Sequence, residues 1–419
     1  MTELDRNQQR DSHMRVAMVD DTSLYSKKLI EGFARLGTSC VLYGPLSTIR
    51  SKSQKIMVTL GPHAVRVWSQ SWFPFQILKR ALKDKPDLVH FQFEFYGIHS
   101  YGPIYASIGL PILLLLLHSA RVKTLVTLHS ILPPESSQIS KLRDASPISK
   151  RIPILLVKTF LVLSYKMVGL LSDGMIVHAK TFRNRLVEQY HVDRSKIMVV
   201  PHGVDPYNAT APQNLTGGTG IRKRILCFGV ISPRKGIENL LSAFAILNDR
   251  RDDCELLLAG SSPPYYHEYD LGLKDQAVLL GLSHRVRFIG EVDDEEAHRL
   301  FEQARFAILP YSYAISASGV LSWAIGHAVP VIVSENEYFR EELSQCEFGL
   351  MVTPGKPESL ADAMDKLLRR EDLCVMFSQN ARKTGISRSW NAVAIRTIEC
   401  YDRILSRNES SNNTMTGKE

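Results

Sequence analysis

Short apolar runs alternate with amphipathic stretches along almost the whole chain. "RVAMVD" predicts a buried strand, followed by a helix through "SKKLIEGFARLG". "CVLYG" (strand), "FQILKRALKDK" (helix) and "PDLVHFQFE" (strand) come next. An apolar helix near residue 111 leads to the strand "KTLVTLH". The amphipathic stretch Arg151–Leu171 leads to the strand "DGMIVHA", the helix "TFRNRLVEQY" and the strand "KIMVVPHG". β-rich runs divided by helices predict a doubly wound parallel sheet.

The pattern breaks at "DPYNATAPQNLTGGTGIRKR", rich in Pro, Gly, Asn and Thr and without period, which reads as a linker over residues 205–224. Alternation then restarts with "ILCFGV", "GIENLLSAFAIL", "CELLLAG", "VRFIG", "DDEEAHRLFEQA", "FAILPYS", "GVLSWAIGH", "PVIVS" and "PESLADAMDKLLRR". The expected fold class is α/β, with two Rossmann-like doubly wound domains over residues 14–204 and 225–388. Two such domains facing each other would leave a cleft at the carboxyl ends of their strands, where open α/β sheets bind ligands. The polar ends, residues 1–13 and 407–419, read as disordered tails. A length of 419 residues agrees with two domains.

Strand ends therefore carry the candidate chemistry. The loop that begins at Gly229 runs through Arg234 and Lys235 into a helix. Backbone N–H groups, the helix dipole and two cations at one place favour a phosphate group. After "FAILP", Ser316, Ser318 and Gly319 precede another helix; serine caps such an end and glycine lets a ligand approach. His129, His202 and Glu94 close three strands of the first half. Asp293, Asp294, Glu295 and Glu296 read as first-turn acids favoured by the helix dipole rather than as a metal site. No Gly-x-Gly-x-x-Gly, P-loop or nucleophile elbow appears, so hydride transfer, P-loop hydrolysis and triad hydrolysis lose ground.

Charge adds a partner question. Residues 1–200 carry 27 Lys+Arg against 14 Asp+Glu, whereas the whole chain carries 51 against 43. A basic first half either meets an anionic surface or is simply solvated. Charge alone, without an aromatic-rich basic strand set, does not support nucleic acid. Arg151, Lys158 and Lys166 fall along one stripe of the Arg151–Leu171 helix. Such a helix either lies in a membrane interface or is a core helix with one wet edge. Six scattered cysteines form no CxxC or Cys/His cluster, which fits a reducing cytoplasm and no metal.

"VVPHGVDP", "FGVISPRKGIENLLSAF", "VRFIGEV", "LPYSYAISASGVLSWAIGHAVPVIVSE" and "GLMVTPGKPESLADAMDKLL" together resemble glycosyltransferase family 4. The resemblance implies the GT-B fold, retention of anomeric configuration, and a last helix over 389–406 that crosses back to the first domain. It implies that Lys235 binds the donor's phosphates and that His129 lies near the donor sugar. It places Gly290 and Glu291 at the loop holding the base, and Glu341 at a glutamate after the next strand. The family's arginine five residues before the lysine is Val230 here, and Arg234 is the substitute. The family's paired glutamates would fall at Ile315 and Trp323, or at Ala314 and Ser322 in a shifted register. Ser316, Ser318 and Gly319 are the expected replacement contacts, with Gly229 beside them.

The leading expectation is a retaining glycosyltransferase without cofactor or metal. It would move a sugar from a nucleoside diphosphate sugar to a glycan, lipid-linked or small-molecule acceptor, with Glu94 and His202 on the acceptor side. Peripheral contact with an anionic membrane on its inner face goes with a lipid-linked acceptor. The alternative is a catalytically inactive GT-B partner subunit, which the lost glutamates favour and the retained Lys235 and His129 oppose.

Overall fold

Strands buried on both faces need continuous apolar runs, and the two sets of runs build two parallel sheets. The structure, a computed structural model, describes residues 14–20, 24–45, 64–68, 72–94, 102–134, 139, 151–206 and 223–413. The chain divides into two units. One extends to Pro201 and takes in Ile315–Ala317 and the chain from Trp390 onward; the other holds His202–Ala314 and Ser318–Ser389.

In the first unit seven strands are β1 (Arg15–Val19), β2 (Ser39–Pro45), β3 (Ala64–Trp68), β4 (Leu88–Phe93), β5 (Thr124–Leu128), β6 (Gly174–Val177) and β7 (Ile197–Val199). Their order is β3-β2-β1-β4-β5-β6-β7, all parallel. In the second unit six strands are β8 (Lys223–Phe228), β9 (Cys254–Ala259), β10 (Val286–Gly290), β11 (Ala304–Leu309), β12 (Val331–Ser334) and β13 (Gly349–Val352). Their order, β10-β9-β8-β11-β12-β13, is again all parallel. Each sheet reverses direction beside its first strand, between β1 and β4 and between β8 and β11. A crevice opens at such a switch point, which places any ligand of each unit.

The first core joins Met18, Leu29, Phe33, Leu88 and Ile176 to Trp390, Val393, Tyr401 and Ile404 of the final helix. The second gathers Leu240, Phe244, Leu256, Phe306, Met364 and Phe377. The final helix runs from Trp390 to Asn413, beyond the expected end at 406. Polar residues extend a helix cheaply once it is nucleated. Residues 1–13, 207–222 of the expected linker and 414–419 lie outside the described residues. Strand β8 already begins at Lys223, so the linker's last two positions belong to a sheet.

Four elements escape the periodic reading. Strand β3 is a five-residue edge with Arg66 at its centre, and β13 has only four residues. The His267–Leu279 helix leaves Val278 and Leu279 exposed, which blurs its amphipathic stripe. The Glu371–Ser387 helix follows the Pro357–Arg369 helix after a single residue.

The expected Arg151–Leu171 helix begins at Ile154, after Pro153. Among the described residues it is the one helix long and apolar enough to cross a membrane. One side is core, through Leu161, Tyr165 and Val168, and the Tyr165 hydroxyl donates to the Ser130 carbonyl. The outward side is not the charged edge that the stripe of Arg151, Lys158 and Lys166 implies. It presents Leu155, Leu156, Leu163 and Leu170 along with Lys166. The neighbouring Gly102–Ser119 helix likewise exposes Ile108, Ile112 and Leu115.

Candidate active site

In the second unit the loops after β8 and β11 are clamped together. Gly236 adopts φ +64°, and a Cβ there would fall 2.3 Å from the Pro310 carbonyl oxygen, so only glycine allows this approach. The Ser312 N–H donates to the Arg234 carbonyl at 3.0 Å. A single 3-10 turn, Pro233–Lys235, then feeds the Ile237–Asn248 helix. The clamp places Lys235 Nζ 3.8 Å above the centre of the Tyr311 ring, with the Arg234 guanidinium 5.2 Å from the same centre.

Lys235 is 8% exposed, and no carboxylate is paired with it among the described residues. Burial, reinforced by the Arg234 charge, pulls its ammonium well below the usual lysine range. A cation desolvated against an aromatic face and lacking a counterion is poised to take an anion. Val230, at the place of the family's arginine, is an exposed apolar side chain.

Glycines line the strand ends beside this cation. Gly229, Gly260 and Gly290 all take positive φ after β8, after β9 and at the end of β10. A Cβ on Gly260 would lie 2.0 Å from the Gly229 carbonyl oxygen. The Gly260 N–H donates to the Gly290 carbonyl at 2.7 Å, so the three form one backbone shelf. Glu291 beyond it is exposed.

Ser318 caps the Gly319–Gly326 helix. Its Oγ accepts from the Leu321 N–H at 3.2 Å and lies 3.3 Å from the Tyr311 hydroxyl. Its own N–H donates to the Tyr338 hydroxyl, which also bonds the Glu342 carboxylate. Glu342 in turn pairs with Arg388, both buried. Ser318 is thus occupied in building the turn, and the exposed Gly319 at the helix start has open space around it. Ser316 falls with the first unit, its backbone bridged antiparallel to Ser130. Neither register supplies a carboxylate: Ala314 and Ile315 are buried, and Trp323 stacks on His327 and Phe301. Glu341 is half-buried on the Glu337–Gln345 helix, next to the inward Glu342. Asp293 caps the Asp294–Gln303 helix, accepting from the Glu296 N–H at 2.8 Å.

His202, expected on the acceptor side, groups with the second unit. Its Nδ1 lies 2.9 Å from the Gly203 carbonyl and 3.1 Å from Ser322 Oγ. Burial lowers its basicity. His202 meets Ser322 only through tertiary folding, which a strand-end reading does not show.

In the first unit His129 belongs to a line of hydrogen bonds that sequence reading missed. The Tyr401 hydroxyl lies 2.7 Å from His90 Nδ1, and His90 Nε2 lies 2.7 Å from Thr127 Oγ1 and 3.2 Å from the Gln92 amide. Gln92 reaches His129 Nε2 at 2.9 Å; His129 Nδ1 reaches His178 Nε2 at 3.0 Å; His178 Nδ1 ends on the Val200 carbonyl at 2.9 Å. That carbonyl only accepts, so His178 donates from Nδ1, and the Gln92 amide oxygen likewise accepts from His129 Nε2. Both ring nitrogens of His129 are engaged inside the unit. Glu94, half-buried after β4, stands two residues beyond Gln92.

Residues 23–207 match the family described as Glycosyltransferase Family 4, and residues 219–384 match Glycosyl transferases group 1. The two matches relate the chain to family 4-type glycosyltransferases. The chain is similar to the phosphatidyl-myo-inositol mannosyltransferase of Mycobacterium leprae, 28% identical over 211 residues, covering 50% of this chain and 54% of the relative. A D-inositol 3-phosphate glycosyltransferase of Corynebacterium urealyticum is 27% identical over 240 residues, covering 55% and 56%. The chain spans about half the length of the curated relatives it matches. Anabaena HepE, solved in complex with UDP, superposes with a TM-score of 0.70 at 16% identity, covering 92% of this chain and 99% of that one. The two Rossmann-like sheets are those of the GT-B fold.

Proposed function

We propose that the protein is a retaining glycosyltransferase that moves a sugar from a nucleoside diphosphate sugar to a hydroxyl acceptor. The observation that carries this reading is Lys235, a buried cation with no carboxylate paired to it among the described residues, at the mouth of a glycine shelf. A diphosphate would take the place of the missing anion, held by Lys235, Arg234 and the N–H groups that open the Gly319–Gly326 helix. The shelf of Gly229, Gly260 and Gly290 would accept the nucleoside, with Glu291 and Glu341 at its rim. UDP in the HepE neighbour supports a nucleotide in a site of this fold.

In the reaction, the bond from the anomeric carbon to the diphosphate oxygen breaks as the acceptor oxygen bonds to the same face of that carbon. The acceptor proton passes to the departing diphosphate, so no strong protein base is required. Lys235 and Arg234 stabilise the charge that develops on the leaving group. His129 is held in place by Gln92 and His178 and acts through position. The reading calls for no cofactor or metal.

The exposed leucines of the Ile154–Leu171 helix, with Lys166 among them, support peripheral contact with an anionic membrane face and a lipid-linked acceptor. Six free thiols support a reducing, cytoplasmic setting. The test is donor binding and slow donor hydrolysis across a panel of sugar nucleotides. One donor is expected to release its nucleoside diphosphate, and Lys235→Ala is expected to weaken diphosphate binding roughly ten- to a hundredfold, the value of a charge-assisted bond. No donor binding by the wild type would favour the inactive partner subunit, to which the missing glutamates point. Unchanged diphosphate binding in the variant would misplace the site.

A further inference from the structure

Resting on the transferase reading, in which His129 stands near the transferred sugar, we infer that His178 is a positioning residue that holds His129 through a shared proton. The two rings together carry three N–H protons at neutral pH, one more than two neutral imidazoles have. Loss of the third proton releases one side of His129.

Proton counting carries this inference. Three contacts run in a row: His178 Nδ1 to the Val200 carbonyl at 2.9 Å, His178 Nε2 to His129 Nδ1 at 3.0 Å, and His129 Nε2 to the Gln92 amide oxygen at 2.9 Å. Both ends of the row only accept. The orientation of Gln92 follows from its amide nitrogen, which lies 3.9 Å from the Met18 sulfur and 3.2 Å from His90 Nε2, so the oxygen turns to His129. Each outer bond uses one proton from one ring. With no further proton, His178 Nε2 and His129 Nδ1 would face each other as bare lone pairs across 3.0 Å. A third proton turns that repulsion into a charge-assisted hydrogen bond.

Burial of His178 opposes a charge, and the three bonds to the ionised pair offset that cost. Neighbouring groups act in both directions. Asp20, buried in one crevice with Gln92, and Glu94, two residues beyond Gln92, are carboxylates that favour the extra proton. Arg185, which donates to the Ile131 carbonyl, opposes it. His90, bonded to Gln92, is uncharged, as are Cys400 and Tyr401 of the final helix, whose ionisation burial holds back. The Tyr25 ring packs 4.7 Å from His129 and 5.3 Å from His178, and burial keeps its hydroxyl from ionising. Gln92 lies in β4, His129 follows β5, His178 follows β6 and Val200 follows β7, so the row ties four neighbouring strand ends. Its middle bond is the one that depends on the third proton.

The experiment combines two measurements on the full chain. Histidine nitrogen-15 NMR, with the two rings assigned from the signals lost in His129→Asn and His178→Phe, counts the ring protons. Three protonated nitrogens among the four are expected at neutral pH; one on each ring overturns the inference. If His178→Phe does not fold by circular dichroism, the signals lost and shifted in His129→Asn assign both rings. Slow donor hydrolysis is then followed against pH. The wild-type rate should fall on the alkaline side, at the pH where NMR shows the third proton leave. His178→Phe should be about threefold to tenfold slower, the value of one hydrogen bond, and should lack that alkaline fall. Equal slowing at every pH with the fall retained makes His178 merely structural and overturns its positioning role. Three protons without hydrolysis of any donor keep the shared proton and overturn the transferase reading. Two protons with hydrolysis intact overturn the shared proton alone.

Discussion

Tyr401, His90, Gln92, His129 and His178 hold one another through single hydrogen bonds, and His90, buried in that line, stays uncharged. Burial presses the His90 imidazole down to about 3. Unfolded His90 binds a proton near the ordinary value of about 6.5, and folded His90 refuses it until far lower pH. Stability from this residue is therefore complete above pH 6.5 and declines as pH falls from there toward 3. His202 and His327, also lowered by burial, add in the same direction. Urea midpoints measured from pH 7.5 to 4 should drop with acid, with His90 contributing up to about 1.4 kcal/mol per pH unit. His90→Gln, which keeps a donor and an acceptor, should flatten that slope; a slope equal to the wild type would remove His90 from the explanation. At this scale the place of Lys235 in a turn after a strand was legible from the glycine that follows it. Tyr311, which fixes the lysine's height, and Gln92, which fixes His129, were not. Their roles arise only once β4, β5 and β6, or β8 and β11, lie side by side.

The Gly319–Gly326 helix is short and would not hold its direction alone. Its N-terminus is tied down by Ser318 and Tyr338, and Tyr338 by the buried Glu342–Arg388 pair. A buried carboxylate, Glu342, thus lies behind the helix, one position from the Glu341 singled out in the sequence. One residue turns a helix by about 100°, which separates a half-exposed side chain from a buried one. Glu342→Gln leaves the Arg388 charge buried without its partner, and should cost the second unit about 3–5 kcal/mol. Replacing both, as Glu342→Leu with Arg388→Met, should cost less than the single change, because no orphan charge remains. Chemical unfolding of the three proteins measures this, and a double variant less stable than Glu342→Gln would show that the pair contributes more than charge compensation. Donor affinity should fall in both, since Tyr338 no longer fixes the Ser318 amide.

Across the whole molecule, the alternation of apolar runs and amphipathic helices made both sheets legible, because a parallel sheet leaves that record in almost every strand. The origin of the first unit's core was less so. Trp390, Val393, Ala394, Ile398, Tyr401 and Ile404 come from the end of the chain, yet they pack on Met18, Leu29 and Phe33 near its start. Periodicity marks the helix as amphipathic but says nothing of which core it joins; only the family resemblance did. Tyr401 also anchors His90, so the last helix supports both the core and the histidine line. Five large or medium apolar side chains besides Ala394, each worth about 1.5–3 kcal/mol when buried, amount to about the usual stability of a domain even after discounting for a compact unfolded state. A chain ending at Ser389 should therefore keep the second unit folded and lose the first. Limited proteolysis should leave a resistant fragment that begins near residue 223, while the first unit is degraded. Adding the Trp390–Asn413 peptide in trans should restore protection of the first unit. Protection of both units without the helix would mean that the apolar side chains around β1 and the Leu24–Arg35 helix close on themselves.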